Sequence, residues 1–254
     1  MTASDAMLSS EPVTAAILVI GDEILSGRTK DKNIGYIAEY LTNIGIDLRE
    51  VRVVPDIEDE IVAALNALRA KVTYVFTTGG IGPTHDDITA DAVAKAFGVT
   101  IDHDPRAIAM LAERFPPDQL NEARLRMARI PAGAELIANS VSKAPGFIIG
   151  NVHVMAGVPS IMQAMLDVVA PTLKTGVRML SETVRAGLKE GDIGTALAAI
   201  AKAHPETSIG SYPFFSDTGP DTNIVVRSRD PERLAEAAAA VATMIAAERE
   251  RLAR

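Results

Sequence analysis

Val72–Gly98 reads VTYVFTTGGIGPTHDDITADAVAKAFG. Its first seven residues are β-branched or aromatic, which predicts a strand over Val72–Thr78. Its last part places Ile88, Ala92, Val93, Ala96 and Phe97 on one side of a helix from about Ile88, with Gly98 as the stop. Between them stand Gly79, Gly80 and Gly82. A glycine turn from a strand into a helix lets backbone N–H groups approach an anion, and the helix dipole favours negative charge there. The stretch therefore reads as a phosphate cradle.

Outward from this unit the pattern repeats. Ala15–Ile20 (AAILVI) is a buried strand, and Ile34, Ile37, Ala38, Leu41 and Ile44 follow at helical spacing, with Asn33 as candidate cap and Gly45 as stop. Leu48–Val54 is a strand ending at Pro55-Asp56, and Ile57–Ala70 is a helix through Ile61, Ala64, Leu65 and Leu68. Alternating strand and helix builds a parallel sheet with right-handed crossovers, an α/β class. Beyond Gly98 the order changes. Pro105–Met127 carries helical patches broken at Pro116-Pro117. Short strands are predicted at Glu135–Ile137, Gly146–Ile149 and Val152–Met155, with a hairpin turn at Gly150-Asn151, then a helix over Ile161–Leu173 entered through Pro159. From residue 176 a small α+β domain is expected: strand Val177–Ala186, helix Ile193–Ala203, strands Ser208–Tyr212 and Thr222–Ser228. A long helix then starts at Asp230-Pro231. Residues 1–11 are read as a flexible tail without the features of a signal peptide.

Composition narrows the function. The 254 residues contain no cysteine, which removes disulfides, thiolate metal sites and a thiol nucleophile. The formal charge is −8 and no basic run occurs, so no nucleic-acid partner is expected. No apolar run spans a bilayer, so no membrane partner is expected and the cytoplasm is the expected address.

In an open parallel sheet, ligands bind beyond the carboxyl ends of the strands. Three loops leave those ends here: Gly21–Asn33, Asp56, and Thr77–Thr89. Asp86 and Asp87 beside a phosphate would repel it, by a few kcal/mol at an effective dielectric constant of about 20. A divalent cation between them turns repulsion into a bridge, so a metal-assisted phosphate site is expected at Asp86 and Asp87. Simpler readings stand beside this one. Asp86 or Asp87 could cap the following helix, Asp56 could cap the helix from Ile57, Asp22-Glu23 could be solvated charge, and Gly79-Gly80 an ordinary turn. His85 stands next to the acids, whereas His103, His153 and His204 read as structural or solvated. Arg124, Arg126 and Arg129 could form a basic edge for phosphates, but a solvated helix face is the preferred reading. The methionines read as packing.

GDEILSG (Gly21–Gly27), TTGGIGPTHDDITAD (Thr77–Asp91), KAPGF (Lys143–Phe147) and AGVP (Ala156–Pro159) together resemble the molybdopterin-binding (MoCF) domain family over residues 12–175. GDIG (Gly191–Gly194) and IGSYP (Ile209–Pro213) resemble the extra domain of one branch. That branch holds the competence/damage-inducible protein A (CinA) N-terminal part and the molybdopterin-binding-like half of eukaryotic FAD synthase. The resemblance implies a three-layer parallel-sheet domain with a smaller C-terminal domain. It also implies a small-molecule nucleotide or pterin phosphate as partner, and a homodimer or homotrimer. Three activities follow from it: metal-dependent cleavage of a nucleotide diphosphate such as ADP-ribose or FAD, which is the first expectation; molybdopterin binding or adenylylation; and nucleotide binding without catalysis. Mg²⁺ is the implied cofactor, with Mn²⁺ or Co²⁺ as substitutes and K⁺ as a further candidate ion. Carried over by position, Asp56 and Asp87 are the expected catalytic acids. Gly21, Glu23, Ser26, Gly27, Asn33, Thr78, Gly79, Gly80, Gly82, Pro83, Thr84, Thr89, Pro145, Gly146, Gly157 and Pro159 are the expected ligand contacts. One departure matters: the run LPGVPxEM of CinA-like chains is MAGVPSIM here, with Ala156 for proline and Ile161 for glutamate. No stretch resembles the amidohydrolase domain of CinA or the adenylyl-transferring half of FAD synthase, so neither NMN deamidation nor FAD synthesis is expected.

Overall fold

The computed structural model describes residues 12–217 and 219–253; the tail expected over residues 1–11 lies outside them. The chain divides into two compact units at Gly176/Val177.

The first unit carries a six-stranded sheet. β1 (Thr14–Ile20), β2 (Asp47–Val54) and β3 (Tyr74–Thr78) are the three expected strands, and β8 (Val152–Met155) joins them in parallel beside β3. β7 (Gly146–Ile149) runs antiparallel to β8 and to β6 (Glu135–Ile137), giving the order β2-β1-β3-β8-β7-β6. The β7–β8 hairpin turns where Gly150 takes φ 56°, which an L side chain resists. A two-stranded ribbon was not anticipated: β4 (Ile101–His103) pairs with β5 (Arg129–Pro131). Three-residue strands carrying Asp102, His103 and Pro131 leave no alternation to read.

β1 is buried along nearly its whole length because both faces of the sheet are covered. Its even-numbered residues Ala16, Leu18 and Ile20 pack on α3 (Glu58–Arg69) and α4 (Thr89–Phe97), through Ile61, Leu65, Leu68, Ala92 and Val93. Its odd-numbered residues Ala15, Ile17 and Val19 pack on α2 (Asn33–Asn43) and α7 (Pro159–Val169), through Ile37, Leu41, Met162, Met165 and Leu166. That is the three-layer arrangement, and the methionines fill it. The four-residue helix α1 (Asp22–Leu25) follows β1; α5 (Pro105–Ala112) and α6 (Glu122–Leu125) lie between β4 and β5. His153 on β8 is enclosed, with ring centroids 5.5 Å from Tyr74 and 5.0 Å from Phe76. Burial pushes its pKa down to about 4, so it stays neutral and structural.

The second unit is an antiparallel sheet, β10 (Ser208–Ser216), β11 (Gly219–Ser228) and β9 (Leu180–Arg185) in that order, packed on α8 (Glu190–Ala203) and α9 (Pro231–Leu252). Ile224 and Val226 meet Ile193, Leu197, Leu234, Ala237, Val241 and Ile245. β10 runs past the expected end at Tyr212 through Pro213, which an edge strand tolerates because its missing N–H breaks no ladder. Asp230 starts α9, accepting from the amides of Glu232 (2.8 Å) and Arg233 (3.3 Å), with Pro231 at the first helical position.

Candidate functional site

Four parallel strands deliver four loops to one edge, and short bonds knit those loops together. The Gly21 amide donates to Val54 O (3.1 Å) and the Asp22 amide to Asp56 Oδ2 (2.9 Å). The Gly79 amide donates to Met155 O (3.3 Å), and Asn33 Nδ2 donates to Gly157 O (2.8 Å). Asn33 is thus not the cap of α2. The cap position is Lys32, and Asp31 just before it accepts from the amides of Asn33 (3.1 Å) and Ile34 (2.8 Å), while the buried Asn33 side chain clamps the Gly157 loop. Asn33 Oδ1 is buried with no partner.

The glycine turn needs its glycines. Gly79 has φ 104° and a Cβ there would stand 2.1 Å from Ile20 O; Gly80 has φ 65° and a Cβ would stand 2.2 Å from Thr89 Oγ1. Thr89, fully buried, donates its hydroxyl to Gly79 O (2.9 Å) and its amide to Gly80 O (3.0 Å). Thr89 therefore shapes the turn, and its hydroxyl proton is committed to the protein. With the turn held this way, the amides of Gly80, Ile81 and Gly82 meet no acceptor among the described residues. Three consecutive free amides at the head of α4 form an anion-receptive row.

The acids fall into two groups. Asp56 does not cap α3, whose cap is Ile57 without a side-chain bond. Instead its carboxyl faces the first and third loops: partial burial, then Asp22, Glu23 and Asp86, push its pKa up against the bond from the Asp22 amide. Asp86 is exposed, and the Thr84 hydroxyl, loop amide and nearby His85 hold its pKa below the usual range. Asp87 is turned the other way, its Oδ2 accepting from the Thr84 amide (2.8 Å) and hydroxyl (2.5 Å), close against Gly82. Neither Asp86 nor Asp87 caps α4. Asp56 thus lies in the field of Asp22, Glu23 and Asp86, while the Asp87 carboxylate is bonded within the turn.

Among the described residues no three acids or histidines converge as a metal set. A divalent ion here would find fewer than three protein acids, with Asp56 and the acids around it as candidates, and would take further ligands from phosphate and water, the habit of Mg²⁺. The field at Asp56 fits such an ion, because its pKa is raised by burial first and then by Asp22, Glu23 and Asp86, and a cation would relieve the second part.

The other expected contacts divide by role. Thr78 ends β3 with a buried, unpartnered hydroxyl. Glu23 folds over Gly21. Gly157 abuts the turn, where a Cβ would lie 3.2 Å from Gly79 Cα. Ser26 and Gly27 are exposed at the end of α1, and Pro83 is exposed in the turn. Pro145 and Gly146 are buried at the start of β7, Gly146 because a Cβ would stand 2.2 Å from Val154 O, and Pro159 opens α7. Ile161, in the first turn of α7, is partly buried against the apolar layer.

Arg126 and Arg129 correct the solvated-helix reading. Helix α6 stops at Leu125, so Arg126 lies on a 3-10 turn and Arg129 starts β5. Both line a cleft with Gly80, Gly82, Asp87, Asp91 and Phe147. Arg129 pairs with Asp91 through two bonds (2.8 and 2.6 Å). Pro131, two residues beyond Arg129, was the available sign that no helix continues there. Arg124 alone faces outward, its guanidinium 4.4 Å from the Phe115 ring centre.

Comparison with known proteins agrees with this geometry. Residues 16–175 match the family described as a probable molybdopterin binding domain, and residues 178–251 match the FAD synthase middle domain. A protein of Pyrobaculum calidifontis is 35% identical over 212 residues, covering 79% of this chain and 80% of its own length. A CinA-like protein of Desulfosudis oleivorans is 35% identical over 231 residues, covering 86% of this chain and 55% of its own length. Among solved structures, the protein CinA of unknown function from Thermoplasma acidophilum superposes with TM-score 0.61 at 35% identity, covering 64% of this chain and 99% of that one. Among the described residues no helix is long and apolar enough to cross a membrane.

Proposed function

The chain belongs to the probable molybdopterin-binding domain family as a CinA-like member, and from that premise we propose that it binds a phosphate-bearing pterin of the molybdopterin class at the carboxyl ends of β1, β2, β3 and β8. The observation that carries this reading is the row of free amides at Gly80, Ile81 and Gly82, held open by Thr89 at the head of α4. A phosphate accepts from those amides, as anions do at helix N-termini. Asp56 and Asp86 hold a divalent cation against it, which supplies charge neutralisation at the phosphate. Asn33 keeps the Gly157 loop closed on the turn and offers Oδ1 as an acceptor for a ligand N–H.

A second reading, cleavage of a nucleotide diphosphate, is favoured by one observation. Asp56 has a carboxyl whose pKa is raised by burial first and then by neighbouring acids, which makes it a stronger base than an ordinary carboxylate. Against it stands Ile161, packed where CinA-like chains carry glutamate. The match of the second unit to the FAD synthase middle domain keeps dinucleotides among the probes.

The test is calorimetric titration of the full chain with molybdopterin, ADP-ribose and FAD, with and without Mg²⁺, Mn²⁺ or Co²⁺, followed by chromatography of the products. The expected result is molybdopterin binding tightened by the divalent ion, with no cleavage of the other two. Release of AMP from ADP-ribose or FAD, lost in Asp56→Asn, would put the second reading in place of the first. Absence of binding by all three ligands overturns both.

A further inference from the structure

Arg126 presents a cost that the fold does not offset. Its Nε is buried and has no hydrogen-bond partner, and its Nη2 reaches only the Asp87 carbonyl at 3.4 Å. A buried guanidinium N–H left unmade is expensive, more so than a neutral donor. Its neighbour Arg129 has no such deficit, being matched in two bonds by Asp91. The Asp87 carboxylate is directed to Thr84. Within this cleft Arg126 is therefore the cation whose donor awaits an acceptor.

The surroundings say what kind. The cleft is lined by Gly80 and Gly82, whose amides are also unmatched, and by Met127, Ile130 and Phe147. Residues with unmatched donors and apolar side chains thus share one cleft.

We propose that Arg126 is an anion-reading residue of this cleft: it donates Nε–H to an oxygen of a phosphoryl group whose other oxygens are held by the Gly80–Gly82 amides. The inference rests on the phosphate reading of the glycine turn and adds the side chain that selects for charge there. A planar fork suits a phosphoryl oxygen better than the point charge of lysine would. The phosphoryl group can come from a monoester or from a diphosphate linking two larger groups, and both present the same oxygens.

The test measures binding of inorganic phosphate and of ADP-ribose to the full chain, its Arg126→Gln and Arg126→Lys variants, and Gly80→Ala. Loss of affinity of about tenfold to a hundredfold in Arg126→Gln, the range for a hydrogen bond to a charged group, with partial recovery in Arg126→Lys, is the expected result. Loss for phosphate names the monoester as the source, and loss for ADP-ribose alone names the diphosphate. Unchanged affinity in Arg126→Gln with loss in Gly80→Ala overturns the role of Arg126 and leaves the glycine turn standing. Failure of the unaltered chain to bind either anion overturns both readings together. Should the variants not fold, the ¹⁵N spectrum of the unaltered chain decides. The Arg126 Nε–H resonance moves on anion addition, and an unmoved resonance at saturation sinks the proposal.

Discussion

The two units are built from similar parts yet treat glycine and buried polar groups differently. In the first, the backbone around the strand ends is closely packed, with Ile20 O, Val154 O and Gly79 Cα occupying the space of a Cβ at Gly79, Gly146 and Gly157. In the second, Gly191 and Gly194 on α8 have open space around them, and the close neighbours of Gly187 and Gly210 are side-chain atoms of Arg249 and Tyr212. Buried unmatched atoms follow a similar division. Asn33 Oδ1, Thr77 Oγ1, Thr78 Oγ1, Arg126 Nε and, in the core, His153 Nδ1 belong to the first unit. In the second, the buried Asp221 carboxylate is met by Arg185 (2.6 Å) and the Thr222 amide (2.7 Å), and Thr222 Oγ1 is left unmatched. Unmet donors and forced backbone gather where a ligand would meet them, which is the local inconsistency expected of a binding site.

The sharpest way to break this contrast is Gly79→Ala. The added carbon meets the Ile20 carbonyl, a backbone atom that cannot step aside, at a φ of 104° that alanine rarely adopts. Destabilisation of about 3 kcal/mol or more is expected, the scale of a strained residue plus a core clash. Hydrogen exchange followed by mass spectrometry should show protection lost over β1, β3 and β8 and kept over β9–β11. Equal loss in both units would contradict the division drawn above.

The opposite sign is expected in α8. Gly194→Ala adds a carbon into open space within a helix, so backbone entropy governs and stability rises by about 0.5–1 kcal/mol. Urea unfolding of the second unit, followed by exchange at α8 amides, measures it. A fall in stability would mean that the exposed face of α8 is not the free surface it is in this chain.

Legibility in the sequence followed the same division of forces. Ala15–Ile20 was readable as a strand because both its faces are apolar, and Asp230-Pro231 as a helix start because cap and proline act within one turn. The loops Gly21–Asn33 and Thr77–Thr89 were readable as a site because glycines and acids follow strand ends. What could not be read was side-chain direction set by contacts distant in sequence. Asn33 looks like a cap beside α2, yet its side-chain amide is drawn 124 positions away to Gly157 while Asp31 accepts from the backbone amides of Asn33 and Ile34. Asp86 and Asp87 look equivalent, yet the Thr84 amide and hydroxyl both close on the Asp87 carboxylate while Asp86 is the more exposed of the two. Arg126 looks like a surface cation, because no local pattern signals that its Nε is buried or that it lines the cleft beside the glycine turn.

The smallest expected effect tests the acidic half of the site. Asp56 has its pKa raised in the folded chain, by burial first and then by Asp22, Glu23 and Asp86. Below the ordinary carboxyl pKa it is protonated folded and unfolded, and contributes nothing. As pH rises from there through the raised value, the folded form ionises with more difficulty than the unfolded one, so the fold loses stability across that window. Asp56→Asn removes the charge and keeps an oxygen for the Asp22 amide. The variant should therefore melt higher than the unaltered chain at pH 7, with the difference shrinking as pH falls toward 4. The gap should be modest because the carboxyl is only partly buried and keeps some contact with solvent. Salt should trim the part due to neighbouring acids and spare the part due to burial. Mg²⁺ should close the gap by stabilising only the chain that has the carboxylate, if Asp56 and Asp86 are the pair that takes the ion. Melting curves at pH 4 to 7, with and without Mg²⁺, separate these contributions. A variant that melts lower at pH 7 would mean the ionised carboxylate stabilises the fold, and that the acids around the glycine turn are not poised for a cation.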